Sequence, residues 1–361
     1  MNNPLSADLD HVLAHTEGLW EELRGQRIFI TGGTGFFGCW LLESFCWAND
    51  KLGLGAEAMV LTRQPAAFRL KAPHLAAHPA VALLEGDVRR FDFPTGRFSH
   101  VIHAATESST RLNAEDPLLM LDTIVEGTRR TLNFAVQCGA RKLLLTSSGA
   151  VYGPQPPNLT HIPEAYRGAP DPLEPGSAYG EGKRLAEQLC ALYHTHNALD
   201  VKIARCFAFV GPYLPLDAHF AIGNFIRDAL AGGPIKIMGD GSPYRSYLYA
   251  ADLAVWLWTI LLRGQPNQPY NVGSKEGHTI RQIAEQVGVL RQPPVSVRCA
   301  RDPVPDQPAS RYVPGTARAQ TELGLQATVG LAEGIRRTMA WHSRLSDRAG
   351  ERKAASLPGA V

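Results

Sequence analysis

Short apolar runs alternate with amphipathic stretches through the first half of the chain. Arg27–Ile30, Ala58–Leu61, Val81–Leu84, His100–His103, Lys142–Thr146 and Val201–Ala204 each have the length and composition of a buried strand. Between them, helical patterns run from about Gly38 to Ala48, from about Leu118 to Cys138 and from Tyr179 to His196. Strands alternating with helices predict an α/β fold, a doubly wound parallel sheet. Residues 8–24 predict a short amphipathic helix ahead of the first strand. The proline-rich stretch from Pro154 to Pro175 predicts a loop over the sheet edge. After Gly211 the pattern breaks into short pieces around Gly232-Gly-Pro234 and Gly239-Asp-Gly-Ser-Pro243, as in a smaller, discontinuous lobe.

The resulting domain map has an N-terminal helical extension at 1–25 and a sheet domain at 26–210. A lobe at 211–345 follows, with segments returning to the core, and then a tail at 346–361 whose small and polar residues predict disorder. An apolar content of 45% and charge of 19% are those of an ordinary globule. A net charge of +2 supplies no basic field, so neither nucleic acid nor membrane is an expected partner. No run approaches the roughly eighteen apolar residues of a membrane span, and the acidic segment Met1–Leu23 is not a signal peptide. The six cysteines are scattered without a C-x-x-C pair, which suits free thiols in the cytoplasm. No metal site is expected.

Candidate chemistry begins at Thr31-Gly-Gly-Thr-Gly-Phe-Phe-Gly38. Gly32, Gly35 and Gly38 between a strand and a helix permit a tight turn, close approach of a pyrophosphate and close helix–sheet packing. Thr34, Phe36 and Phe37 complete the turn, and the helix N-terminus favours an anion. Thr62-Arg63 ends the second strand, where an acidic residue would hold the ribose hydroxyls of NAD. Arg63 pairs with the 2′-phosphate of NADP or stacks on the adenine of NAD, and the missing acid favours NADP. Further on, Tyr179 and Lys183 lie at i and i+4 of a helix, on one face. An ammonium there lowers the phenol pKa and suits it to proton transfer near neutral pH. Ser148 closes the fifth strand, at the edge where open parallel sheets bind ligands. Thr106 and Ser108 follow the fourth strand and are candidate contacts for the hydroxyls of a substrate.

Together these residues resemble the extended short-chain dehydrogenase/reductase family, in the NAD-dependent epimerase/dehydratase branch that acts on nucleotide sugars. The resemblance runs from about Gln26 to Trp341 and adds His103-Ala-Ala105, Val151-Tyr-Gly153, Gly211-Pro212, Arg245 ahead of Asp252, and Tyr270-Asn-Val-Gly273. It implies a Rossmann-type sheet, an NAD or NADP cofactor, a nucleotide-diphosphate sugar substrate and a homodimer paired through helices beside the active site. In that reading His103, Ala104 and Ala105 line the cofactor cleft, and Asp87-Val88 contacts adenine. Ser148 bonds the reacting sugar oxygen, Tyr179 moves its proton, and Lys183 lowers the tyrosine pKa and holds the nicotinamide ribose. Asn224 and Arg245 hold the diphosphate and base, and Arg311 is a late ribose or phosphate contact. Two departures stand out: Ile124 and Ala208 replace asparagines common in the family.

The resemblance also bears on the reaction. Sugar 4,6-dehydratases of this type carry Asp-Glu immediately after the catalytic hydroxyl residue, and decarboxylating members tend to keep a glutamate there. This chain has Gly149-Ala150, which leaves elimination without its acid and base. Glu107 and Glu164 remain as loop carboxylates, or as solvated surface groups. Small residues also leave room for a 4-keto sugar to turn. Oxidoreductase chemistry at a sugar carbon follows, with 4-epimerisation first and NADPH-dependent 4-keto-sugar reduction next; the further alternatives are a sugar 4,6-dehydratase using non-standard acid and base residues and a non-catalytic cofactor-binding regulator.

Overall fold

The computed structural model describes residues 3–106, 110–218, 220–304 and 308–355. Its main sheet has seven strands: β1 (Arg27–Thr31), β2 (Glu57–Thr62), β3 (Val81–Glu85), β4 (His100–His103), β5 (Lys142–Ser148), β6 (Asp200–Cys206) and β7 (Pro269–Val272). They run in the order β7-β6-β5-β4-β1-β2-β3, and every neighbouring pair is parallel. The chain order reverses between β1 and β4, which opens a crevice beyond the C-terminal ends of those strands. This is the Rossmann-type α/β sheet expected from the sequence. The expected strands form, His100–His103 with unchanged bounds and the others with one or two more residues at an end, and β7 brings the Tyr270-Asn-Val272 segment beside β6.

The sheet is covered on both faces. On one side lie α2 (Phe36–Leu52), apolar nearly all round, and α5 (Ala250–Arg263), whose residues up to Leu262 are all buried. An indole hydrogen bond ties the two helices, Trp258 Nε1 donating to Ser44 Oγ at 2.9 Å, and Trp40 Nε1 of α2 donates to the Pro212 carbonyl at 2.9 Å. On the other side lie α3 (Pro117–Gln137) and α4 (Ala178–Asn197) over Phe29, Phe91, Phe98 and Phe134. All six cysteines are free. Among the described residues no helix is long and apolar enough to cross a membrane.

Two terminal expectations are corrected. The N-terminal extension is a helix α1 (Ser6–His15) and a separate 3-10 turn at Trp20–Leu23 rather than one helix over 8–24. Gly18 adopts φ 74° between them, and this left-handed bend swings Trp20 into the core against Trp258. At the other end α6 (Leu331–Ala355) continues through residues where disorder was expected. Arg, Ala, Glu and Lys dominate there, all strong helix formers. The last part of the expected tail, 356–361, lies outside the described residues.

The smaller lobe carries the helix Ala221–Leu230 and a three-stranded patch. In the patch, Tyr244–Arg245 lies between antiparallel His278–Thr279 and parallel Arg311–Tyr312. The proline-rich loop is pinned across the patch end. Ile162 N–H donates to the Val313 carbonyl, and Gly315 N–H donates back to Ile162, both at 2.9 Å. Glu164 anchors the same loop by accepting from Asn271 N–H at 3.0 Å. Its half-buried carboxylate thereby serves as a structural acceptor.

Candidate active site

The glycine turn between β1 and α2 has the features that a dinucleotide pyrophosphate needs. At Gly32 the backbone takes φ 72°, and a Cβ would lie 2.4 Å from the Ala104 carbonyl atoms. At Gly38 a Cβ would lie 2.3 Å from the backbone of Gly32 and Gly33. Both must be glycine for β4 and α2 to approach the turn. A Cβ at Gly35 would meet little, its nearest neighbour being the Gly32 carbonyl at 3.4 Å, so space is left above the turn. No side chain caps α2, which leaves its first N–H groups available to an anion. Gly32, Thr34, Gly35, Phe36, Phe37 and Gly38 therefore fit a dinucleotide, with Ala104 and Ala105 as the facing wall.

At the adenosine end, Thr62 is buried and its hydroxyl accepts from Gln64 N–H at 3.3 Å, while Arg63 is exposed. Asp87 is held by Arg89, through Arg89 N–H at 2.9 Å, Nε at 3.0 Å and Nη2 at 2.8 Å. These bonds hold its carboxyl down at about 2. Val88 turns inward against Gly127. His103 does not line the cleft as the resemblance implies. It is 2% exposed, bonded to Thr31 Oγ1 at 2.7 Å and Thr128 Oγ1 at 3.1 Å, and burial pushes it down to about 3. As a neutral imidazole it ties β4 to the end of β1 and to α3, beneath the turn.

Ser148, Tyr179 and Lys183 converge at the ends of β5 and α4. Burial pushes the Tyr179 phenol up to about 12, a rise that the neighbouring Ser148 only partly offsets. Lys183 acts elsewhere than expected. Its Nζ lies 6.0 Å from the Tyr179 ring centroid and donates to the Thr146 carbonyl and to Thr106 Oγ1, both at 2.7 Å. Burial lowers its own pKa to about 8. The i, i+4 spacing does place both groups on one face of α4, but the buried Thr146 carbonyl near the end of β5 captures the ammonium. Thr106 is thereby oriented by Lys183, and its own hydroxyl donates to the Ala105 carbonyl at 2.8 Å. Ser108 and Glu107 lie outside the described residues.

Several participants escaped the sequence reading. One turn beyond Lys183, Glu187 accepts from Ser147 Oγ at 2.5 Å and from Arg205 Nη2 at 2.7 Å, locking α4 to β5 and β6. Tyr312 reaches in from the lobe, with its hydroxyl 3.5 Å from Ser148 Oγ and its ring 4.6 Å from that of Phe207. A Cβ on Gly149 would lie 2.7 Å from Phe207 Cζ and 2.8 Å from Tyr312 Oη. The room expected beside Gly149 is filled by these two rings. Ala150 is covered by α4, since a Cβ on Gly180 would come within 2.9 Å of the Ala150 carbonyl.

On the lobe, Arg245 lies with its guanidinium 6.0 Å from the Tyr312 ring centroid, and Arg311 stacks on Tyr244 at 4.0 Å. Arg245 pairs with Tyr312 and Tyr244 with Arg311 across the two strands. Alternation along a strand puts these pairs on opposite faces, so Arg311 faces away from Ser148. Asn224 lies half-buried on the helix Ala221–Leu230, where Oδ1 accepts from Arg227 at 3.1 Å.

Comparisons with known proteins give the family and the fold. The model of the NAD dependent epimerase/dehydratase family matches residues 28–273. UDP-glucuronic acid decarboxylase 6 of Arabidopsis thaliana is 32% identical over 309 residues, 86% of each chain. Among solved structures, a dTDP-glucose 4,6-dehydratase of Streptomyces venezuelae with NAD bound superposes with TM-score 0.76 and 26% identity, covering 89% of this chain and 98% of that one. A UDP-glucose 4-epimerase of Thermus thermophilus in complex with NAD gives TM-score 0.72 and 26% identity over 88% and 99%.

Proposed function

Since the chain belongs to the NAD dependent epimerase/dehydratase family, we propose that it exchanges hydride at C4 of a nucleotide-diphosphate hexose, without losing water or carbon dioxide. One observation carries this reading. The two positions after Ser148 are Gly149 and Ala150, and the rings of Phe207 and Tyr312 pack where a carboxylate side chain at 149 would stand. The decarboxylase and dehydratase names of the similar proteins therefore do not transfer directly.

The bound nicotinamide supplies or accepts the hydride and, when oxidised, a positive charge. Ser148 holds the C4 oxygen. Tyr179 delivers its phenol proton to that oxygen as C4 gains hydride, or takes the proton when C4 loses hydride, so charge balances in both directions. Lys183 fixes the end of β5 through Thr146 and presents a cation to the ribose side of the cleft. Arg245 faces the diphosphate, its planar fork matched to phosphate oxygens. NADP as the preferred cofactor, and homodimerisation through exposed faces of α3 and α4, belong to the same proposal.

Of the two outcomes of C4 exchange, 4-epimerisation requires the keto sugar to turn over beside Ser148. The packed Phe207–Tyr312 wall favours the second outcome, net reduction of a 4-keto sugar. Mass spectrometry of UDP-glucose, UDP-glucuronate and dTDP-4-keto-6-deoxyglucose incubated with the protein and NAD or NADPH tests both. An isomer of unchanged mass resolved from the substrate by chromatography, or a product heavier by two hydrogens, supports the proposal. A product lighter by water or carbon dioxide contradicts it.

A further inference from the structure

A lysine from another element reaches the lip of the glycine turn. Lys71 is the last residue of the short helix Pro65–Lys71, which follows β2, and its Nζ donates to the Thr34 carbonyl at 2.8 Å. The residue is exposed, yet two groups hold its ammonium: that carbonyl, and the ring of Tyr213, whose centroid lies 5.9 Å from Nζ. Tyr213 is itself fixed, its hydroxyl donating to the buried Glu43 carboxylate at 2.6 Å. Glu43 also accepts from Asn3 at 2.8 Å and bonds His74 at 2.7 Å, so it is engaged away from Lys71. A carbonyl positions an ammonium without neutralising it and uses one of its three N–H donors. The charge beside the turn is therefore available to an anion.

The turn lies directly against the end of β2. Thr31 pairs with Leu61, and a Cβ on Gly33 would come within 2.6 Å of Val60 Cγ1. Arg63 follows that strand end, and Lys71 returns to the turn from the far end of the helix that Arg63 leads into. The two cations thus flank the ends of β1 and β2, where a Rossmann sheet holds the adenosine ribose. We propose that Lys71 is a second specificity-determining residue for the cofactor, binding the 2′-phosphate of NADP together with Arg63. A phosphate monoester carries a charge of about −1.5 to −2 near neutral pH, more than one guanidinium balances. Arginine supplies the planar fork and lysine the point charge. The ribose hydroxyl of NAD offers the ammonium no such partner. The inference rests on the proposed preference for NADP.

Calorimetric titration of NADP and NAD against wild type, Lys71→Met and Arg63→Ala tests it. Methionine keeps an unbranched apolar stem and removes the charge. Lys71→Met should weaken NADP about tenfold, the low end for a charge-assisted bond because the site is exposed, while NAD stays within about threefold. An unchanged NAD affinity also shows that the turn is intact. If both cofactors weaken alike, the ammonium supports the turn or the pyrophosphate they share, and the inference is overturned. If NADP holds in Lys71→Met while Arg63→Ala loses it, Arg63 acts alone: this inference falls and the preference for NADP stands. A wild type that binds NADP no better than NAD, with the ratio unmoved in both variants, defeats the preference and this inference together.

Discussion

A methyl group on Gly149 would sit 2.7 Å from Phe207 Cζ, so the residue after Ser148 is glycine because an aromatic ring occupies its side-chain space. Gly149→Ala must push Phe207 and with it Tyr312. Overpacking of this kind costs about 1–3 kcal/mol. A lowered melting temperature together with reduced turnover is expected, and Phe207→Leu in the same chain should restore part of both. A Gly149→Ala protein as stable and active as wild type would show that the wall yields freely.

His103 gives a pH signature of stability. Burial depresses its pKa to about 3 in the folded protein, whereas the unfolded chain takes up the proton near the ordinary value of 6.5. The unfolded state therefore binds more protons between those values, and stability falls as pH drops from 6.5 towards 3. The limiting slope for one such group is about 1.4 kcal/mol per pH unit. Denaturant titrations at several pH values should show a shallower acid loss in His103→Gln than in wild type. Parallel slopes would place the acid sensitivity in other groups.

At the adenosine end, Arg63 stands exposed at the close of β2. Charge-assisted bonds from arginine to a 2′-phosphate contribute about 1.5–3 kcal/mol, or about one to two powers of ten in affinity. Calorimetry should show Arg63→Ala weakening NADP by roughly that factor while NAD stays within about threefold. If both affinities fall together, the guanidinium is stacking on adenine and the preference for NADP is withdrawn.

Leu185 and Leu192 on α4 are 43% and 44% exposed, and Leu118 on α3 is 73% exposed. Leu185 and Leu192 lie seven positions apart, which places them on one helical stripe. In the proposed homodimer this stripe is covered. Light scattering should give a dimer for the wild type and a monomer for Leu185→Glu/Leu192→Glu. A wild-type monomer at micromolar concentration contradicts the pairing.

The sheet and the dinucleotide turn could be read from the sequence because their signals are local. Short apolar strands, a glycine at each tight approach and an i, i+4 pair all lie within a few residues of one another. What escaped depends on contacts between distant segments. Tyr312 meets Ser148 across 164 residues of chain, from a two-residue strand too short to display an alternating pattern. The same short strand hid that Arg311 faces the other way. The helical spacing located Lys183 correctly, yet no local rule states that an ammonium will prefer a strand-end carbonyl and Thr106 over the phenol above it. His103 looked like a cleft residue because it precedes Ala104-Ala105, and only its contacts with Thr31 and Thr128 reveal a buried tie.

The central claim is proton transfer by Tyr179 coupled to hydride exchange confined to sugar C4, and Tyr179→Phe measured beside wild type tests it most directly. Nuclear magnetic resonance of the product sugar reads where the change occurs, while calorimetry follows cofactor affinity. The wild type should alter C4 alone. The variant should lose about a hundredfold to ten-thousandfold in rate, the usual contribution of a general acid–base group, with cofactor affinity within about threefold. A variant that keeps more than about a tenth of the rate, or a wild-type product changed at C5 or C6, would contradict the account.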